Sequence, residues 1–136
     1  MDPTIDGFLD NFNKNEPVRN DVLAKSEREF GVSFPGSYRE FLSLTNGGEG
    51  FIGQCSYVIF WKLEELVQMN SAYQVDEYAP GLLLFGSNGG GEAYAFDLTA
   101  EGLPIVEVPF VGMDRTHAHA LANDFLGLLS DLYDAE

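Results

Sequence analysis

Apolar residues recur at helical spacing near the N-terminus and at strand spacing through the middle of the chain. Ile5, Phe8, Leu9 and Phe12 stand at i, i+3, i+4 and i+7, which predicts an amphipathic helix. Asp2 is a suitable N-cap for it and Pro3 a suitable first helical residue. Asn13 to Glu16 reads as a loop. A second helix is predicted from Asp21 to Phe30, with Val22, Leu23 and Phe30 inward, Glu27 and Arg28 outward, and Gly31 as a left-handed stop. Pro35 opens a third, in which Tyr38, Phe41, Leu42 and Thr45 repeat the stripe. Asn46-Gly47-Gly48 ends it, because Asn and Gly tolerate positive φ.

The period then changes. Gly50 to Gln54 is short and apolar. Tyr57-Val58-Ile59-Phe60-Trp61 is β-branched and aromatic and predicts a strand. Lys62 to about Tyr73 returns to helical spacing, with Leu63, Leu66, Val67 and Asn70 on one face; Glu77 to Gly81 is a break containing Pro80. Leu82 to Phe85 is apolar throughout, as in a strand buried on both faces. Gly86 to Gly91 turns, and Glu92 to Asp97 follows as the second strand of a hairpin. Pro104 to Pro109 predicts another strand, placed near a sheet edge by its prolines. A last helix spans about Asp124 to Tyr133, capped by Asn123, with Leu121, Phe125, Leu128, Leu129 and Leu132 inward.

This order predicts one α+β domain over residues 1–136: an antiparallel sheet with N-terminal helices, one inserted helix and a C-terminal helix. Hydrophobic residues at 45% and charged residues at 21% fit a folded domain rather than a disordered chain. Charge alters the picture more. Against 22 acids stand 7 Lys and Arg, a net charge of −15. Residues 1–62 carry net −3 and residues 63–136 carry net −12, with Arg115 the single base of the second part. A nucleic-acid backbone or an anionic membrane is therefore an unfavourable partner. A basic protein is a favourable one. The N-terminus lacks the basic start and apolar run of a signal peptide, and no apolar stretch approaches a membrane span of about 20 residues. One cysteine, Cys55, cannot form an internal disulfide, and a reducing cytoplasm is the expected location.

Candidate chemistry is sparse. The turn at Gly86 to Gly91 lacks the Lys-Ser/Thr of a phosphate loop and is followed by Glu92 and a strand, which points to a hairpin turn. Its glycines also let another backbone approach, as a binding loop requires. His117 and His119 could begin a zinc site with Asp114, but a third ligand is missing, and they read as exposed loop residues. Cys55 has no nucleophile signature around it and reads as a small hydrophobe. No Gly-x-Ser-x-Gly elbow is present. Tyr57, Phe60 and Trp61 read first as core, with an interface anchor as the alternative.

Several segments together resemble the SUKH superfamily, whose founding members include a fungal regulator of cell-wall synthesis. Glu27, Gly31, Phe34-Pro35, Tyr38 and Phe41-Leu42 follow the spacing of its helical motif, and Asn46-Gly47-Gly48 closes that helix. Leu83 to Asp97 is similar to its central hairpin, in which an acid follows the glycines and an Asp ends the next strand. Pro104-Ile105-Val106 and Asn123-Asp124-Phe125-Leu126 also fit, so the resemblance spans about residues 18–133. Phe34 stands where Leu is commoner, and Glu92 where Asp is usual.

The resemblance implies an α+β fold and no catalytic residues or cofactor. It implies a bacterial immunity protein that binds and neutralises a polymorphic, nuclease-type toxin. The alternative is a general regulatory or scaffold module. An enzyme or metal binder using the carboxylates and both histidines is a third reading. On the immunity reading, the partner-binding residues are Trp61, Glu64, Asp76, Glu77, Asn88, Gly89, Gly90, Gly91, Glu92 and Asp97, meeting a basic toxin domain from one face.

Overall fold

The strands lie side by side in the order in which the chain makes them. The computed structural model describes residues 5–135 and forms one seven-stranded antiparallel sheet, β1 to β7 in sequence order. The strands are β1 (Phe12–Lys14), β2 (Gly48–Ile52), β3 (Ser56–Phe60), β4 (Leu82–Ser87), β5 (Glu92–Asp97), β6 (Ile105–Pro109) and β7 (His119–Ala122). The helices are α1 (Asn20–Phe30), α2 (Gly36–Leu44), α3 (Leu66–Ala72), α4 (Val75–Tyr78) and α5 (Phe125–Asp134). Short 3-10 turns cover Ile5–Leu9, Leu63–Glu65 and Arg115–His117.

Alternation along the strands divides the sheet into two faces. Val58, Phe60, Leu83, Phe85, Tyr94, Phe96 and Ile105 face a core shared with α2, α5 and the first turn. Aromatic rings fill it: Phe85 lies 4.4 Å from Phe96, Phe41 lies 4.7 Å from Phe125, and Tyr38 lies 5.0 Å from Phe96 between centroids. Leu82, Leu84, Ala93, Ala95 and Val108 face the other way and pack with Val75, Ala79 and Met113. The small alanines of β5 leave room for that second, thinner layer.

Several sequence expectations need correction. The N-terminal stripe is a 3-10 turn that stops at Leu9; Phe12, expected as its last inward residue, instead opens β1, which continues into Asn13 and Lys14 where a loop was expected. Phe12 is drawn into the sheet because its ring packs against Phe41 and Phe60. Asp2 and Pro3 lie outside the described residues. The inserted helix begins as a 3-10 turn and runs as α3 only to Ala72; α4 (Val75–Tyr78) reaches two residues into the expected break. The strand containing Pro104 to Pro109 is not at the edge. β7, which the sequence reading missed, pairs with its far side, and Pro109 closes β6, where little further pairing is needed. The cap of α5 is Asp124, whose carboxylate accepts a hydrogen bond from the Gly127 amide at 2.8 Å; Asn123 is not the cap.

The motif residues have mechanical roles. Glu27 is not a solvated outward acid: its carboxylate accepts from the Phe34 amide at 2.7 Å and fixes the connection between α1 and α2. Gly31 closes α1 in the left-handed region at φ 67°. Asn46 accepts from the Leu63 amide at 2.8 Å and donates to Glu64 at 2.6 Å, tying the end of α2 to the start of the inserted helical segment. A Cβ on Gly47 would stand 2.4 Å from the Phe60 carbonyl oxygen, so this turn presses on β3 too closely for any side chain.

Candidate functional site

Ser87 and Asn88 build the glycine loop between β4 and β5. The Ser87 hydroxyl donates to the Glu92 carbonyl at 3.0 Å and accepts from the Gly89 amide at 2.9 Å. The Asn88 side-chain oxygen accepts from Gly90 at 2.8 Å and from the Glu92 amide at 3.3 Å, and its nitrogen donates to the Glu92 carboxylate at 3.3 Å. Gly89 and Gly91 have φ of 76° and 110°, conformations that favour glycine. The loop is thus braced from inside while Gly89, Gly90 and Gly91 remain exposed.

One side of this loop meets a patch of aromatic side chains. In β3, Val58 and Phe60 enter the core, so Tyr57 and Ile59 point to the opposite face; Trp61, just past the strand, packs partly against both layers. Cross-strand register adds Glu49 beside Ile59 and Phe51 beside Tyr57. The helical layer on this face is built from α3 and α4 over β4, and β1 to β3 are left open. Phe51 and Tyr57 are therefore 43% and 38% exposed and meet edge to face at 5.4 Å. The Tyr57 hydroxyl donates to the Glu49 carboxylate, and its ring lies against Gly89.

Trp61 carries the patch across the sheet. Its ring stacks on Tyr73 at 6.3 Å and lies 6.5 Å from Phe110; Tyr73 and Phe110 are 4.7 Å apart. The Phe110 amide donates to the Gly91 carbonyl at 2.9 Å, which joins this trio to the loop. Trp61 and Phe110 are half-buried. A groove of about 430 Å³ beside Trp61 is lined by Gly48, Ile59, Glu49, Lys62 and Glu65 among others. Trp61 and the loop, named separately from the sequence, are thus parts of one surface. Phe51, Tyr73 and Phe110 were missed. Alternation in β3 did hold a signal: every residue from Tyr57 to Trp61 is large and apolar, which reads as two buried faces although only one is.

The acids do not gather as expected. Glu92 lies on the face of β5 that carries Tyr94 and Phe96, and Asp97 on the face that carries Ala93 and Ala95, because an odd separation reverses direction in a strand. Asp97 is held by Arg115, whose guanidinium donates to both carboxylate oxygens at 2.8 Å, and it accepts from Thr99 at 2.6 Å. Burial pushes the Asp97 pKa up, but these hydrogen bonds outweigh it and the net shift is downward. Glu64 lines a different hollow together with Lys14, Arg19 and Lys62. Asp76 and Glu77 are exposed on α4. The single acidic face is therefore replaced by acids spread over several surfaces.

Another group emerges around β6. Glu107 pairs with Tyr94 on one side and His119 on the other, on the face that also carries Glu92. Burial and then the neighbouring Glu92 hold the Glu107 carboxyl above its ordinary value, opposed by His119. Burial, then Glu107 and Glu92, push the Tyr94 hydroxyl up to about 12.

His119 is in β7, not in a loop, while exposed His117 lies 3.2 Å from the Gly112 carbonyl through Nδ1. Cys55 is exposed in the β2–β3 turn, so it does not serve as a buried hydrophobe. Among the described residues, no three His, Cys, Asp or Glu side chains converge as metal ligands, and no helix is long and apolar enough to cross a membrane.

The architecture is that of an α+β domain with a rigid glycine hairpin beside an open aromatic sheet face. The chain matches the SMI1 / KNR4 family (SUKH-1) over residues 17–131 and belongs to that family. A search of curated proteins finds no match.

Proposed function

We propose that this chain is a non-enzymatic, cytoplasmic immunity protein that binds and neutralises a basic, nuclease-type bacterial toxin. The observation that carries the binding reading is the open β1–β3 face, where Phe51, Tyr57 and Trp61 lie beside a braced glycine loop. Exposed aromatic anchors on a stiff scaffold lose little entropy on association and are typical of binding hot spots. Family membership supports the immunity reading, and the charge of −15 supports a basic partner. The acids act through the summed field of the molecule, which speeds encounter, while the aromatic face provides the contact.

The test is protection. Cells expressing a nuclease-type toxin domain from a neighbouring gene, where one is found, should survive when this chain is co-expressed, and the two proteins should co-purify. Toxicity unrelieved by co-expression, with no complex, overturns the reading. The spread of the acids over several faces favours one second reading, a regulatory module with several partners, for which unrelated partners and no toxin would be recovered.

A further inference from the structure

The two sheet edges are treated differently. β1 is three residues long and ends in Lys14, a charge that discourages further pairing. β7 contains no Lys, Arg, Pro, Asp or Glu. It pairs only with β6, and among the described residues no hydrogen bond from its backbone reaches any other element. In an antiparallel strand, alternate residues direct both N–H and C=O to the same side, so the outer groups of β7 stand open for a new strand.

A hollow of about 630 Å³ lies next to this edge, between α5 and the paired strands β6 and β7. Its apolar wall includes Ile105, Val106 and Leu121, and its acids include Asp124 and Asp131, with Asp97 behind them paired to Arg115. No Lys or Arg lines it. Asp131 is exposed and Asp124 uses one oxygen to cap α5, so both leave negative charge facing the hollow's solvent side.

We propose that the outer edge of β7 is a strand-addition site for an extended segment of a partner protein bearing Lys or Arg at alternate positions. Main-chain hydrogen bonds to His119–Ala122 would supply affinity, and the basic side chains, all on the α5 side of the added strand, would meet Asp131 and Asp124, while the alternate residues would lie on the sheet's other face. This surface is separate from the aromatic face and does not depend on the partner being a toxin.

The test titrates the full ¹⁵N-labelled chain with the blocked hexapeptide Lys-Val-Lys-Val-Lys-Val. Its twin, N-methylated at alternate residues, keeps the charge but cannot complete a ladder. Shifts should centre on residues 106 and 119–122, and the twin should bind about tenfold more weakly, the effect of one or two lost backbone hydrogen bonds. Asp131→Asn should weaken the unmodified peptide severalfold without moving the melting temperature. Equal binding of the two peptides, or shifts centred on Phe51, Tyr57 and Trp61, overturns the proposal. Toxin protection is not read in this experiment, so its outcome leaves the immunity reading to its own test.

Discussion

The side chain of Asn70 pairs with the backbone of Leu84 in both directions. Its oxygen accepts from the Leu84 amide at 2.8 Å, and its nitrogen donates to the Leu84 carbonyl at 2.9 Å. β3 pairs with β4 only at Ile59–Ser87 and Phe60–Gly86, so Leu82 to Leu84 have no strand on that side. Asn70 of α3 stands in for one residue of the missing strand. It also donates to the Leu66 carbonyl at 2.8 Å, which locks the side chain to its own helix.

Asn70→Ala should therefore lower unfolding stability by about 2 kcal/mol, since it strands two part-buried backbone groups. Urea unfolding measures it. A loss below about 0.5 kcal/mol would show that water replaces the amide without cost.

The glycines separate into two classes. Gly47→Ala should prevent stable folding, because the new methyl would meet the Phe60 carbonyl at 2.4 Å and φ is 69°. Gly90→Ala should change stability by less than about 0.5 kcal/mol, since Gly90 has ordinary φ and the new methyl meets only the Asn88 side chain, at 3.5 Å. Soluble expression and thermal melts compare the two. A well-folded Gly47→Ala protein would refute the close approach.

Two groups on β5 and β6 contribute to the pH dependence. The Glu107 carboxyl is raised when folded, so its contribution favours folding at low pH and is lost as pH rises through its folded value. Glu107→Gln should raise stability at pH 7. Tyr94, pushed up to about 12, contributes stability that is complete below its ordinary value of 10.0 and is lost as pH climbs from there to about 12. Tyr94→Phe should flatten that alkaline limb of the melting curve. An unchanged limb assigns the loss to other groups.

Encounter with a basic partner should depend on salt. Raising ionic strength from roughly 0.05 to 0.5 M shortens the screening length from about 14 to about 4 Å and should slow association at least about tenfold. Stopped-flow rates that ignore salt would remove the steering role of the charge.

The sequence showed the α+β class, the buried β4 run and the capping Gly31 because each rests on local rules. It hid β1 and β7 because both are short and are held by partners far along the chain. Phe12 belongs to a helical stripe until Phe41 and Phe60 are present. Trp61 and the glycine loop were legible as separate features. Their union was not, since it depends on the Phe110 amide reaching Gly91 from another strand. Grouping the acids failed for a simple reason: one extra residue between Glu92 and Asp97 places them on opposite faces of β5.

The central measurement is the affinity of the chain for the toxin domain that it protects against, compared between the parent chain and the variant with Phe51→Ser and Tyr57→Ala combined. Both side chains are exposed, so the melting temperature should hold within a few degrees while binding weakens about a hundredfold, the loss of roughly 2.7 kcal/mol expected of two anchors. Undiminished binding by this folded variant, or no binding by the parent chain, would contradict the aromatic face as the site of neutralisation.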